Sequence, residues 1–209
     1  MKPVNTIYTI LSNEYPEAKS GLNYNSAFEL LIAVMLSAQC TDKRVNEITK
    51  HLFEICKIPE DYLKIGENKL QELIKSCGLY KTKSRNIINS CRILIEEFEG
   101  NVSGKFQDLI KLPGVGRKSA NVVLIEAFDI PAIPVDTHVY RVSNRIGIVK
   151  AKNPEQTESQ LSKILPNEIW IKMHHLLIIH GRTTCLARNP KCKKCKINIY
   201  CDFTNQDIK

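Results

Sequence analysis

Arg117 and Lys118 follow directly on the segment Leu112-Pro113-Gly114-Val115-Gly116 and fall in the first turn of a helix. The helix macrodipole disfavours cations at that end, and a local rule broken without compensation points to function. If Lys118 is partly buried, desolvation, Arg117 and the dipole together lower its pKa. A neutral amine is a nucleophile, whereas an ammonium is not. The plain alternative is a surface lysine with a solvated head. The helix from Gly116 to Phe128 runs roughly 18 Å away from the turn, and the return through Asp129 to Val135 spans at most about 20–23 Å. The lengths nearly match, so Asp136 could come back beside Lys118. An amine and a carboxylate facing one cleft suit displacement at a carbon that develops positive charge. Taken alone, Asp136 is equally a helix cap, and His138 reads as structural.

The turn before Lys118 is too short for anything bulky. Its glycines permit positive φ, and the amides opening the next helix can form an anion-binding concavity suited to a phosphate diester. The bland reading is a tight helix–helix connection.

A second set of chemistry-bearing residues closes the chain, Cys185-x6-Cys192-x2-Cys195-x5-Cys201. Four close thiols in a reducing compartment are seldom left without a metal. A zinc site usually shows two close pairs, and only one Cys-x2-Cys is present. Iron–sulfur clusters take four thiolates at more varied spacing, so spacing alone leans only slightly toward them. Arg182, Arg188, Lys191, Lys193, Lys194 and Lys196 surround the set, with no acid between Gly181 and Tyr200. These cations either balance thiolate charge or face a polyanion. Cys40, Cys56, Cys77 and Cys91 fall on apolar helix faces and read as inert core thiols.

The elements that must position these groups are helical. Ser26-Ala27-Phe28-Glu29 forms a capping box ahead of the apolar run Leu30 to Leu36, which predicts a helix buried all round. Val45, Ile48, Leu52, Phe53 and Ile55 mark a second helix. Leu70, Leu73, Ile74 and Cys77 mark a third, which Gly78 can end. Ser84 begins a fourth, striped by Ile87, Ile88, Cys91, Leu94, Ile95 and Phe98. A short helix at Phe106 to Ile110 precedes the turn. Ile130 to Pro134 is extended, Asp136 caps a helix, and Asn153-Pro154-Glu155 opens another. Pro166-Asn167-Glu168 opens a last one that closes at Gly181. Strict two-residue alternation is almost absent, so no sheet is predicted.

Composition agrees. The 209 residues hold only 9 Gly and 9 Pro, with 43% apolar and 25% charged residues, which excludes a mainly disordered chain. A net charge of +8 suits a protein meeting a polyanion. The run Leu30 to Leu36 is far too short to span a membrane, and Asn5, Thr6 and Thr9 interrupt any signal-peptide stretch. The chain is expected to be cytoplasmic, with its thiols reduced.

Leu112-Pro-Gly-Val-Gly-Arg-Lys-Ser-Ala-Asn-Val-Val-Leu124 and Val135-Asp-Thr-His-Val-Tyr-Arg141 closely resemble the helix-hairpin-helix DNA glycosylases. Leu30 to Asp42 is similar to the endonuclease III branch of that family, and the resemblance runs from about residue 20 to the C-terminal cysteines. It implies an all-α, two-lobed fold. Residues 21–130 would form a six-helix barrel with the hairpin, and residues 1–20 with 131–209 an iron–sulfur lobe, with DNA between them. It also implies a bifunctional glycosylase and abasic-site lyase of base excision repair, acting on oxidised pyrimidines. Lys118 would attack the sugar C1′ and form a Schiff base, Asp136 would assist, and β-elimination would nick the strand. Gln39 and Leu79 match positions that fill the gap left by a flipped nucleotide, although a lone Leu after a helix is usually core. Gly114, Gly116, Arg188 and Lys191 would contact DNA. Cys185, Cys192, Cys195 and Cys201 would hold a [4Fe–4S] cluster. The expected partner is double-stranded DNA with damaged bases or abasic sites, bound by a monomer at the nucleoid. Two rivals differ in kind. A mismatch glycosylase of the superfamily would lack Lys118, and a non-catalytic DNA-binding module would use the same hairpin and metal clip.

Overall fold

The structure, a computed structural model, describes residues 2–206. The expected iron–sulfur lobe begins at residue 1 and runs to 209, so residue 1 and residues 207–209 of it lie outside the described residues. No strand is present among the described residues, and no helix is long and apolar enough to cross a membrane. The helices are α1 (Val4–Glu14), α2 (Ala27–Ser37), α3 (Asp42–Ile55), α4 (Pro59–Leu73), α5 (Tyr80–Phe98), α6 (Phe106–Leu109), α7 (Arg117–Ala127), α8 (Thr137–Ile146), α9 (Pro154–Ile164), α10 (Trp170–Thr183) and α11 (Asp202–Gln206). They divide into two compact units. One runs from Gly21 to Ile130, and the other joins the segment ending at Ser20 to the chain from Pro131 onward.

Unit 21–130 is built around α2. Every residue from Phe28 to Leu36 is buried, so this helix has no solvent face and packs on α3, α5 and α7. Burying one such Leu or Ile side chain contributes on the order of 2 kcal/mol. Ser26 Oγ accepts from Glu29 N at 3.1 Å, as the capping box requires. The return bond is shifted by one residue, because Glu29 Oε2 accepts from Asn25 N at 2.6 Å.

Several helix limits differ from the sequence reading. The α4 helix starts at Pro59, breaks at Gly66 (φ 74°) and ends at Leu73, leaving Cys77 in the following turn. The α5 helix begins at Tyr80 rather than Ser84. Ile55 is exposed, whereas Val45, Ile48 and Leu52 form the buried face of α3.

The other unit packs α8 against α10, with α1 and α9 on either side. Its core includes Ile7, Leu11, Val139, Val142, Ile146, Met173, Leu176 and Leu177. Gly181 does not close α10, which continues to Thr183. A Cβ there would lie 3.0 Å from the His138 ring nitrogen and 3.1 Å from Arg141 Nη2. Close approach to α8, not helix termination, explains this glycine.

Candidate functional site

The hairpin between α6 and α7 is anchored from below and open above. Leu112 and Val115 are buried, and Val115 N donates to Leu112 O at 3.0 Å to close the turn. Gly114 adopts φ 83°, and a Cβ on it would stand 2.7 Å from Asn86 Nδ2. Positive φ and close packing therefore both require glycine here. Ser90 Oγ donates to Pro113 O at 3.2 Å. Asn86 and Ser90 lie one turn apart on α5 and brace the hairpin together. Sequence reasoning missed them, although a polar pair spaced i, i+4 beside the apolar stripe of α5 was a readable signal. Gly116 caps α7 with extended backbone and has open space around its Cα. A ligand can thus reach the backbone amides at the start of α7.

Lys118 is the second residue of α7 and is exposed. The condition set from sequence, partial burial, is not met. Arg117, one residue earlier, is compensated, because its guanidinium carbon lies 5.2 Å from the centroid of the Phe106 ring. In the other unit, Asp136 caps α8. Its Oδ1 accepts from His138 N and Val139 N, each at 2.8 Å, which leaves the second carboxylate oxygen unused by the cap. His138 Nδ1 meets Arg141 Nη2 at 3.2 Å, a structural contact.

Gln39 and Leu79 occupy neighbouring loop tips. Both take left-handed backbone conformations, φ 54° and 59°, which non-glycine residues rarely adopt. Leu79 is 55% exposed, so the core alternative for this side chain does not hold. A Cβ on Gly78 would lie 3.6 Å from Gln39 O, which sets the two backbones side by side. An exposed Leu beside an exposed Gln, each on a strained tip, forms a small amphipathic wedge.

The four C-terminal cysteines line one hollow together with Arg145, His180 and Ile197. Burial, foremost, and then proximity to Cys201, Cys185 and Cys192 raise the Cys195 thiol. Among the described residues no three donors converge tightly enough for a single metal ion. A polynuclear group, wider than one ion, fits thiols spread around a cavity. Arg145 Nη1 donates to Leu186 O at 2.7 Å and lies 3.6 Å from Cys185 Sγ. Arg141 Nη2 donates to Cys185 O at 3.0 Å and to Gly181 O at 2.9 Å. Burial holds His180 down at about 4, hence neutral. Its Nδ1 meets Tyr15 Oη at 3.0 Å and its Nε2 faces Cys195 Sγ at 3.7 Å. These supports were not read from sequence, although Arg141 and Arg145 are spaced i, i+4 on α8. Arg188 and Lys191 are exposed on the loop that these contacts hold. Of the four other cysteines, Cys56, Cys77 and Cys91 are buried core thiols, but Cys40 is not.

Comparison with known proteins agrees with this arrangement. Residues 32–167 match the family described as HhH-GPD superfamily base excision DNA repair protein. Endonuclease III of Rickettsia felis is 49% identical over 206 residues, covering 98% of this chain and 96% of its own. Endonuclease III of Escherichia coli is 47% identical over 197 residues, covering 94% and 93%. A solved structure of a trapped endonuclease III–DNA covalent intermediate, an estranged-adenine complex, superposes with a TM-score of 0.93 at 42% identity. That match covers 99% of this chain and 97% of the other.

Proposed function

The chain belongs to the HhH-GPD superfamily of base excision DNA repair proteins, and from this we propose that it works as an endonuclease III, a bifunctional DNA glycosylase and abasic-site lyase. Its substrates are oxidised pyrimidines in duplex DNA, and it acts as a monomer in the cytoplasm, at the nucleoid. The observation that carries the reading is Lys118, exposed at the second position of α7 directly after an open hairpin. A relative at 42% identity has been trapped in a covalent complex with DNA.

Each step follows from the chemistry of these side chains. The damaged nucleotide leaves the stack, and Gln39 and Leu79 fill the vacated space. The hairpin amides take a backbone phosphate, and the covering duplex desolvates the Lys118 amine. Departure of the base builds positive charge on the sugar, which the unused oxygen of Asp136 steadies. Lys118 Nζ bonds to C1′ as the glycosidic bond breaks, and ring opening gives the iminium. Loss of the C2′ proton expels the 3′ phosphate, and water then releases the lysine.

Cys185, Cys192, Cys195 and Cys201 are the residues that would hold a [4Fe–4S] cluster. When bound, that group supplies a four-point cross-link for the loop carrying Arg188 and Lys191, which grips the DNA backbone.

Borohydride reduction on an abasic duplex tests the reading. The wild-type protein is expected to become covalently attached, and Lys118→Ala is expected to bind the duplex without attachment. Equal trapping of the two proteins overturns the assignment of Lys118. Binding with neither trapping nor nicking by the wild type returns the chain to a non-catalytic DNA-binding module.

A further inference from the structure

Beneath the Gln39 and Leu79 tips lies a polar group that the repair chemistry does not use. Cys77 has no exposed surface and Lys83 is 5% exposed. Lys83 Nζ donates to Leu36 O at 2.8 Å and lies 3.2 Å from Cys77 Sγ. Cys77 Sγ donates to the same carbonyl at 3.2 Å. Burial, foremost, raises the Cys77 thiol, Lys83 pulls it back, and the nearby Cys40 thiol raises it further. Cys40 itself is half-buried, next to Gln39. Each cysteine sits in a tight turn, Cys40 N donating to Ser37 O at 3.1 Å and Cys77 N to Ile74 O at 2.8 Å. The backbones run close together one residue away, where a Cβ on Gly78 would lie 3.6 Å from Gln39 O.

We propose that Cys40 and Cys77 are an oxidisable dithiol, and that peroxide converts them to a disulfide joining the two loop tips. A hydroperoxide oxidises the half-buried Cys40 thiol to a sulfenic acid and is itself reduced to the alcohol. Cys77 sulfur then attacks the Cys40 sulfur. The S–S bond forms, the S–O bond breaks, and the hydroxyl leaves as water with the Cys77 proton. Two thiols lose two hydrogens and two electrons in all. Lys83 offsets part of the effect of burial, because a cation beside a thiol favours the thiolate that attacks. The disulfide ties together the two tips that carry Gln39 and Leu79, so it acts on the pair proposed to enter a duplex. The cross-link does not depend on the repair function proposed above, and only its consequence rests on it.

The test treats the purified full-length protein with tert-butyl hydroperoxide, maps its peptides without reduction, and measures nicking of an abasic duplex before oxidation, after it, and after dithiothreitol. A linked Cys40–Cys77 peptide is expected. With it should come a loss of about tenfold in nicking rate, ~1.4 kcal/mol on the barrier, restored by the thiol. Cys40→Ser should nick like the wild type when reduced and stay within about twofold after peroxide. Cys77→Ala should stop at an oxidised Cys40 with no link. An oxygen-bridged Lys83–Cys77 product, or oxidised Cys40 without a link in the wild type, overturns the proposal. So does a linked protein that nicks at full rate. Absence of nicking by the reduced wild type instead counts against the repair reading and leaves the peptide map to decide the cross-link.

Discussion

The proposed function asks two tasks of the one Asp136 carboxylate. Its Oδ1 caps α8 through two amide bonds of 2.8 Å, which fixes the side chain and leaves the other oxygen outside the cap. The tasks separate by substitution. Asp136→Asn keeps a good capping oxygen but loses the charge. Chemical denaturation should place it within about 0.5 kcal/mol of wild type, while single-turnover base release falls by two or more orders of magnitude, in line with loss of a fixed transition-state charge. Asp136→Ala should lose the same activity and also about 1 kcal/mol of stability from the missing cap. If the two variants have equal stability, the cap is not what holds this carboxylate. Lys118 differs in kind. The residue is exposed, and the proposed chemistry places its activation in the complex with DNA.

At the scale of elements, α5 connects the two halves of the expected DNA contact in unit 21–130. Leu79 precedes its first turn, and Asn86 and Ser90 on its flank brace the hairpin that leads to Lys118. The fit at Gly114 is tight, with 2.7 Å from a would-be Cβ to the Asn86 amide nitrogen. Gly114→Ala should therefore cost about 1 kcal/mol for the left-handed backbone and on the order of 1 kcal/mol more for the clash. Adding Asn86→Ala should return only the second part, a coupling readable in a double-mutant cycle by denaturant unfolding. Strict additivity would show that Asn86 does not support the turn. The α8 helix does comparable work in the other unit, because Arg141 and Arg145 reach the carbonyls of the cysteine loop.

For the whole molecule, charge and buried thiols give two measurable slopes. Arg188→Ala with Lys191→Ala should reduce the salt dependence of DNA binding by about two in log–log slope, the release of roughly one counterion for each lost phosphate contact. An unchanged slope would assign these cations to balancing the cysteine charge. The second slope is in pH. Burial, foremost, pushes the Cys91 thiol up to about 12 and the Cys56 thiol to about 11. The folded protein thus keeps two protons that the unfolded chain releases above the ordinary thiol value of about 9. Stability from these groups is complete below pH 9 and falls as pH rises toward 11. On the order of 2 kcal/mol should be lost from Cys91 by about pH 10.5. Urea melts against pH should show the decline, and Cys91→Ala should flatten it. An equal decline in the variant would assign it to other groups.

The features legible in the sequence are those governed by a few consecutive residues. Glycine at a positive-φ turn, Ser26, Asp136 and Asn153 as caps, proline before an extended stretch and the spacing of four cysteines all act within a turn or two of chain, so their residue types suffice to read them. Burial and close approach are settled by residues distant in sequence. Leu79 as an exposed tip, Lys118 as an exposed residue, Gly181 inside a helix against His138, and Cys40 beside Cys77 rather than in a core of its own could not be read from local pattern. Tertiary packing decided them, because each depends on which other element occupies the space beside it.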